Sequence, residues 1–291
     1  MPDLHGVWSV APGGRALAIA GLADRLGSPF LVVVPGERDA EELVDDLSLF
    51  IADVLLAPAW ETLPFEHVSP NIATMAHRSE ARHALERGDP VVVVASVRGA
   101  IQRLSPTPHG PLTLEPGDET SMDDLSRALA DLAYSRTDRV EARGEFAVRG
   151  GIVDVFPAQM ESPMRLDFWG DQLDEIRAFS VATQRSEETV PRLIAFPARE
   201  VRPDPGIRSR TEQLVRSEPW NASTWDRISE GHVFPGIESW LPWLAEPVSL
   251  IDALPQRANL VLVEPTRAFD RARDLVKEES ELAAALAPTW G

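Results

Sequence analysis

The feature that most constrains the fold is a run of strand-like sequence at Gly144–Pro157, near the middle of the 291-residue chain. Phe146 and Val148 alternate with Glu145, Ala147 and Arg149, which is the period-2 pattern of a half-buried strand. Gly150-Gly151 allows a tight turn because glycine carries no Cβ, and Ile152–Phe156 is apolar enough to return as the next strand. The run therefore predicts a β-hairpin.

A second strand-like run follows at Met164–Asp171. Successive side chains of a strand point to opposite faces, so Leu166 and Phe168 share one face while Arg165 and Trp169 lie on the other. This second face is unusual, because a tryptophan shares it with charged residues although the core is its usual place. The pattern predicts an exposed aromatic side chain on the outer face of a sheet.

The first part of the chain has an α/β pattern. Phe30–Pro35 is a continuous apolar run, as expected for a parallel strand that is covered on both faces. Apolar residues at helical spacing predict helices over Glu37–Ile51 and Asn71–Gly88. Val54–Leu56 and Val91–Ala95 are two further predicted strands.

The pattern changes twice along the chain. Prolines and glycines from Pro106 to Gly117 end the α/β alternation, and a helix over Met122–Leu132 leads into the strand-rich middle. From Val190 onward helical spacing dominates, and Leu260–Val263 is predicted as one buried strand. We expect three segments with boundaries at 1–115, 116–188 and 189–291.

Charge and composition exclude several classes of protein. The net charge of −18 disfavours autonomous DNA binding, which usually needs a basic face, so we expect no high-affinity duplex binding. The acidic balance fits a basic protein partner, or it serves solubility alone, and both interpretations stay open. The absence of cysteine excludes disulfides and thiolate metal sites. With no apolar run of about 18 residues and no secretory pattern at Met1–His5, we expect a cytoplasmic protein without a membrane span.

Several motifs together point to a known family. Glu145–Pro157, Arg165–Asp171 and Thr183–Ser186 resemble the N-terminal module of the bacterial transcription-repair coupling factors (Mfd), which is homologous to part of the excision-repair helicase subunit UvrB. Further matches are Ala59–Phe65, Ser69-Pro70, Gly144 and Pro235–Trp240. The resemblance covers only the amino-terminal part of such a factor, without its translocase motor or polymerase-binding domain.

The resemblance implies a fold and a division of the chain. The implied fold class is α/β. The fold consists of a degenerate helicase-like (RecA/UvrB-type) parallel-sheet domain with an inserted small α+β domain. Segments 1–115 and 189–291 would be the two parts of the parallel-sheet domain, called 1a and 1b. Segment 116–188 would be domain 2, which binds the damage-sensing ATPase UvrA.

The sequence retains only traces of a nucleotide site. A phosphate loop needs glycines, then a lysine and a hydroxyl residue, at the start of a helix. Gly13 and Gly14 stand at this place, but Arg15 follows where the lysine belongs. Glu264, followed by Pro265, stands where an Asp-Glu pair would hold magnesium. We expect an inactive nucleotide site, or an ordinary structural turn, with no cofactor.

Other candidate sites are weak. The five carboxylates of the first acidic helix follow its polar arc, so we interpret them as a solvated face rather than a metal cluster (Asp39, Glu41, Glu42, Asp45 and Asp46). The histidines show no metal-ligand spacing (His5, His67, His77, His83, His109 and His232). Four tryptophans are expected to fill core gaps (Trp220, Trp225, Trp240 and Trp243). The interval from Leu63 to Ser69 is too short for the aromatic hairpin with which UvrB clamps DNA.

The predicted function is a non-catalytic module of transcription-coupled nucleotide excision repair that recruits UvrA. By resemblance, Arg149, Arg165 and Trp169 are its contact residues, and in the full-length factor the translocase domains connect it to RNA polymerase and DNA. One alternative is a fragment of an ATP-dependent DNA helicase or UvrB-like ATPase, and another is an autoinhibitory module that masks the UvrA site. For these three contact residues, the alternative interpretation is that a neighbouring helix covers Trp169 and that both arginines form intramolecular ion pairs with acids such as Asp167.

Overall fold

The computed structural model describes residues 6–63, 66–105, 110–246 and 248–286 of the chain. His5, Pro64, Phe65, Pro106 and His109, which entered the predictions above, lie outside these ranges. The strands are β1 (Phe30–Val34), β2 (Val54–Ala57), β3 (Val92–Ser96), β4 (Leu112–Leu114), β5 (Ser135–Arg136), β6 (Glu145–Arg149), β7 (Ile152–Val155), β8 (Met164–Trp169), β9 (Gln172–Phe179), β10 (Ser186–Thr189), β11 (Leu193–Ala195) and β12 (Asn259–Leu262). The α-helices are α1 (Arg15–Leu26), α2 (Glu37–Ser48), α3 (Ile72–Arg87), α4 (Val97–Ile101), α5 (Met122–Asp131), α6 (Pro205–Ser217), α7 (Ala222–Ser229), α8 (Leu241–Leu244) and α9 (Pro265–Leu286).

Four strands form a parallel sheet in the order β12-β1-β3-β2. Every residue of β1 and β3 is buried, as their continuous apolar sequences predict, because helices cover both faces of the sheet. One face packs against α1 and α2, and the other against α3, α4 and α9. The α/β fold class with a parallel helicase-like sheet is confirmed.

Two details of this domain differ from the sequence prediction. The strand at Leu260–Val263 is not buried, since Leu260 is 44% and Leu262 37% exposed. The reason is its place at the edge of the sheet, where β12 pairs only with β1 and is left without a covering neighbour on its other side. The helix predicted over Glu37–Ile51 ends at Ser48, which leaves Phe50 exposed.

The middle of the chain forms a six-stranded sheet in the order β10-β9-β8-β7-β6-β5. The predicted hairpin is present, because β6 and β7 are antiparallel and Gly150 makes the turn with a φ of 60° that favours glycine. Phe146, Leu166 and Phe168 are buried in the core against α5, and Val148 packs against that core while partly buried. This sheet and its helix match the predicted small α+β domain.

The outer face of the six-stranded sheet is less accessible to solvent than the alternation of side chains along its strands predicts. Ala147 is buried there in a second, smaller cluster with Val140, Phe156 and Phe179. The loop between β5 and β6 and the end of β9 supply the covering side chains. Only part of this face is therefore accessible to a partner.

The inserted region is attached to the parallel-sheet domain by paired connections. β4 enters it and β11 leaves it, and these two strands pair antiparallel outside the predicted boundaries 116 and 188. The boundaries themselves stay predictions. Just beyond β11, the buried carboxylate of Glu200 accepts from Arg78 Nε at 3.0 Å and from Trp60 Nε1 at 2.7 Å. This ion pair ties the returning chain to α3.

The C-terminal helices enclose a cluster of tryptophans. Trp225 is fully buried and Trp240 nearly so, and their rings meet edge to face with centroids 5.2 Å apart. Trp243 is partly buried in the same cluster. These placements confirm the predicted packing role, although Trp220 at the rim is 42% exposed.

A buried carboxylate, Glu238, joins the helical segment to the loop before α3. Its Oε2 accepts from Ser69 Oγ at 2.5 Å and lies 3.4 Å from Arg199 Nη1. The Ser69 hydroxyl in turn accepts from the backbone N–H of Gly236 at 2.7 Å. Burial raises the pKa of Glu238, and the charge of Arg199 only partly opposes this. The ionised form of this carboxyl is therefore disfavoured in the folded protein.

Replacing Glu238 with glutamine is expected to remove one pH-dependent component of stability. A carboxyl whose pKa is raised by folding stabilises most below its unfolded pKa, and that contribution is lost as the pH rises through the folded pKa. Glu238→Gln does not titrate, so its stability relative to wild type should improve from pH 4 to pH 8, an interval that begins just below the ordinary glutamate pKa of about 4.3. Urea unfolding at the two pH values measures this. The same change at exposed Glu187 is the control, and a Glu238→Gln difference that does not vary with pH would contradict the prediction.

Candidate functional site

The accessible part of the six-stranded sheet brings charged residues of three strands together. In the register of β6, β7 and β8, Asp154 lies opposite Ala147 on one side and Arg165 on the other. Arg149 lies opposite Ile152, in the next row of the same face. The two predicted arginines are thus placed on either side of a single aspartate.

Asp154 forms the centre of a buried ion cluster. Arg165 Nε donates to Asp154 Oδ1 at 2.7 Å and Arg165 Nη2 donates to Oδ2 at 2.9 Å, which is a bidentate pair. Arg149 Nη2 donates to the same Oδ2 at 2.8 Å. The hydrogen bond with Asp154 raises the pKa of Arg165. The side chain of Asp154 has no exposed surface, and these guanidinium groups compensate its charge there.

The two arginines differ in accessibility. The side chain of Arg149 is 51% exposed, whereas that of Arg165 is 16% exposed. The Arg165 guanidinium also lies over the ring of Phe179, 4.8 Å from its centroid, and donates to the backbone of Gln184. Arg149 therefore presents its charge to solvent, and Arg165 lies on the predicted face but is largely covered.

Intramolecular ion pairs of these arginines were the alternative interpretation of the sequence. The pairs exist, but the acid is Asp154 rather than Asp167. Asp167 instead pairs with Arg177 Nη2 at 2.5 Å on the neighbouring strand β9. The sequence analysis missed Asp154 because it lies within an apolar strand. The signal available was its even spacing from Ile152, which puts it on the outer face.

Trp169 is 85% exposed at the end of β8. It lies on the same face as Arg165, roughly 13 Å further along the strand at ~3.3 Å per residue. Its cross-strand neighbour is Gln172, across the turn made by Gly170. Arg149, Arg165 and Trp169 thus lie on one face of one sheet, with the aromatic side chain uncovered.

The predicted nucleotide loop has a conformation unlike that of a phosphate cradle. Pro12–Gly14 forms a short 3-10 helix in which Gly14 N–H donates to Ala11 O at 2.9 Å, and the N–H of Arg15 donates to Pro12 O. A phosphate loop needs such N–H groups to point at the anion. Neither Gly13 nor Gly14 has the positive φ that only glycine adopts easily. No strand precedes the loop among the described residues 6–11.

The two charged residues of this predicted site meet each other. Arg15 Nη2 donates to Glu264 Oε1 at 2.7 Å, across the carboxyl edge of the parallel sheet. Hydrogen bonds from Arg267 and Arg15 lower the pKa of Glu264, so it stays ionised and paired. Glu264 is thus bound by two arginines, Arg15 at the start of α1 and Arg267 in α9.

Within the described ranges, no group of three or more histidines and carboxylates has the geometry to hold a metal ion. Among the helices described, none is long and apolar enough to cross a membrane.

Comparison with known proteins identifies relatives of this chain. Residues 112–201 match the family described as the UvrB interaction domain, a range that includes the Asp154 cluster and Trp169. The chain is similar to the transcription-repair-coupling factor of Mycobacterium tuberculosis (strain CDC 1551 / Oshkosh), with 38% identity across 95% of this chain and 24% of that protein. It is 31% identical to the transcription-repair-coupling factor of Escherichia coli (strain K12), across 85% of this chain and 22% of that protein.

A third relative is not a transcription-repair-coupling factor. The UvrABC system protein B of Fusobacterium nucleatum subsp. nucleatum is 27% identical across 65% of this chain and 31% of that protein. The chain spans about a quarter of the length of the coupling factors that it matches.

The ion cluster predicts a large effect of Asp154→Asn on stability. The amide keeps the shape of the side chain but removes the charge that holds two guanidinium groups, and breaking a buried pair in this way costs about 3 kcal/mol or more. Asp167→Asn is the matched control, because the Asp167–Arg177 pair is partly exposed and should contribute less than about 1 kcal/mol. Chemical denaturation of both variants measures the difference. Equal losses of stability would show that Asp154 is not the centre of the cluster.

Proposed function

Residues 112–201 belong to the UvrB interaction domain family, and from this premise we propose that the protein is a non-catalytic binding module that recruits UvrA. The rest of the chain supports the proposal, because it is homologous to the N-terminal region of the transcription-repair coupling factors. The surface that binds UvrA is the outer face of β6, β7 and β8. In a full-length factor, the remaining domains would connect this module to RNA polymerase and DNA.

The observation that carries the proposal is an exposed tryptophan on the same sheet face as an arginine held by Asp154, within the matched residues. Trp169 is 85% exposed and Arg149 half exposed, on one face of one sheet. Tryptophan and arginine are the residue types that most often dominate binding energy in interfaces. A sheet that held Trp169 only for stability would have it packed in a core or beneath a helix. The exposure of this side chain thus supports a role in contact with a partner.

The geometry of the loop at Gly13 and Gly14 supports the non-catalytic part of the proposal. The Gly14 and Arg15 N–H groups already donate within the turn, and Arg15 is held by Glu264. The arginine fork is longer and flatter than a lysine ammonium, so it does not reproduce the phosphate contact of a P-loop lysine. These features disfavour the alternative of a helicase or UvrB-like ATPase fragment. The autoinhibitory alternative concerns the full-length factor and is compatible with UvrA binding.

The proposal predicts that this chain binds UvrA and that Trp169→Ala weakens the complex at least about tenfold, as expected for an interface anchor. The melting temperature should stay nearly unchanged because the side chain makes little contact within the domain. Trp169 is a cleaner probe than Arg165, since truncation of Arg165 leaves buried Asp154 with one guanidinium. Isothermal titration calorimetry with purified UvrA measures the affinity.

The control for this measurement is Trp8→Ala, which removes another exposed tryptophan outside the sheet face. It should bind UvrA like wild type. If the wild-type chain does not bind UvrA, or if both variants bind equally well, the proposed function or its surface is wrong.

The nucleotide-loop geometry predicts that the protein neither binds ATP tightly nor hydrolyses it. It further predicts that Arg15→Lys combined with Ala16→Thr, which restores the missing side chains, does not create ATP binding. The reason is that the loop N–H groups bond within the turn and the adjacent strand is absent from residues 6–11. Calorimetric titration with MgATP checks both proteins, with circular dichroism to confirm their fold. Micromolar ATP binding by either protein would refute the expectation.

A further inference from the structure

We infer that the free edge of β12, the side of this strand that faces away from β1, is the site of a further parallel strand. The strand is supplied by the polypeptide that follows α9 in the longer coupling factors to which this chain is homologous. Among the described strands, β12 pairs only with β1, at the end of the order β12-β1-β3-β2. An unpaired strand edge is a template for another strand. The inference does not depend on UvrA binding.

The backbone of β12 has hydrogen-bonding groups directed to this free edge. The N–H groups of Asn259 and Val263 donate toward β1, at 2.8 and 2.9 Å. Each residue of a strand directs its N–H to the side opposite that of the residue before it, so the N–H groups of Leu260 and Leu262 are directed away from β1. A further strand would accept hydrogen bonds from these two donors.

Apolar side chains accompany the free edge. Leu260 is 44% and Leu262 37% exposed, and their register with β1 puts them on the sheet face that α9 covers. On α9 itself, Phe269 is 55% and Val276 61% exposed. A strand placed beside β12 would cover apolar surface of this kind, which stabilises the contact. The occupant is therefore a strand with apolar side chains on the α9 face.

The orientation of α9 directs its exposed apolar residues to the same side. Arg267 Nη2 lies 3.7 Å from Asp39 Oδ2 at the start of α2, the helix that follows β1. The flank of α9 that carries Arg267 is therefore directed toward β1. Residues two apart in a helix lie roughly 200° apart around its axis. Phe269, and Val276 two turns later, thus lie on the opposite flank, toward the free edge.

The crossovers within the sheet give the direction of the chain after α9. From β1 to β2 the chain moves away from β12 through α2, and from β2 to β3 it returns through α3 on the opposite face. Both the direction and the face are reversed, so the two crossovers have the same hand, and parallel strands nearly always use the right-handed form. Because α9 follows β12 on the α3 face, the next parallel strand lies beyond β12, at its free edge.

This direction distinguishes the continuing chain from other occupants. A second copy of the chain would pair β12 with β12 across a two-fold axis, and a separate protein would add a strand with no connection to α9. The crossover rule applies only to a strand that α9 connects to β12. The chain spans about a quarter of the length of the coupling factors that it matches, so those proteins have polypeptide available for such a strand.

The test compares the 291-residue chain with the same chain extended by about 50 residues, enough for a connection, a helix and a strand. The extension is taken from the Mycobacterium tuberculosis transcription-repair-coupling factor, directly after the part that matches this chain. Amide hydrogen exchange measured by NMR should be at least about tenfold slower for Leu260 and Leu262 in the extended protein, because their N–H groups become bonded. The N–H of Val261, directed toward β1, is the internal control and should be protected in both proteins.

A substitution separates pairing at the edge from general stabilisation. Leu260→Glu should alter the melting temperature of the 291-residue chain little, because the side chain is partly exposed. In the extended protein it should return the exchange of Leu262 to the rate in the unextended chain, since the new strand would cover an unpaired charge. Leu49→Glu, at a 79% exposed site outside this edge, is the matched control and should keep the slow exchange.

Two results would overturn the inference. In the first, the extended protein is folded by circular dichroism but Leu260 and Leu262 exchange as fast as in the unextended chain. In the second, the 291-residue chain sediments as a dimer with both amides already protected, which would assign the edge to a second copy. Neither result bears on UvrA binding, so the proposed function is tested separately.

Discussion

The candidate surface depends on a carboxylate that has no contact with water. Arg165 binds both oxygens of Asp154, and Arg149 binds one of them again. These bonds cross three adjacent strands, so they also select the strand register. A slip of one residue would turn Asp154 into the apolar core and separate it from both guanidinium groups. The same interaction therefore fixes the strand register and orients the half-exposed side chain of Arg149 on the outer face of the sheet.

Buried polar side chains serve a similar purpose where the parallel-sheet, six-stranded and helical parts of the chain meet. Arg78 and Glu200 connect α3 to the chain that leaves the inserted region, with both side chains nearly free of exposed surface. Ser69, Arg199 and Glu238 connect the loop before α3 to the helical segment. Such pairs contribute little net stability compared with apolar packing, but they are unfavourable in any other arrangement of their partners. They thus favour one placement of the six-stranded sheet relative to α3 and the C-terminal helices.

The sequence was sufficient to predict elements whose cause is local. The buried parallel strand β1, the helix between Asn71 and Gly88, and the hairpin at Gly150 follow from continuous apolar residues, helix caps and turn glycines. The exposed position of Trp169 followed from strand alternation. The sequence did not predict features that depend on contacts between residues far apart in the chain. Alternation states which face a residue occupies, but the covering of Ala147, the burial of Asp154 and the edge position of β12 depend on neighbours far away in the sequence.

The loop at Pro12–Gly14 shows how charged residues at the edge of a sheet can hold two elements together. A loop and a strand end at the carboxyl edge of a parallel sheet are where such folds bind phosphate and magnesium. Here the loop N–H groups bond within their own turn, and Arg15 binds Glu264 at the same edge. Glu264 accepts from both Arg15 and Arg267, so its charge is compensated at this edge of the sheet. Because Arg15 begins α1 and Glu264 follows β12, their pair holds the start of α1 against the end of β12. The contact therefore helps to place α1 on the parallel sheet.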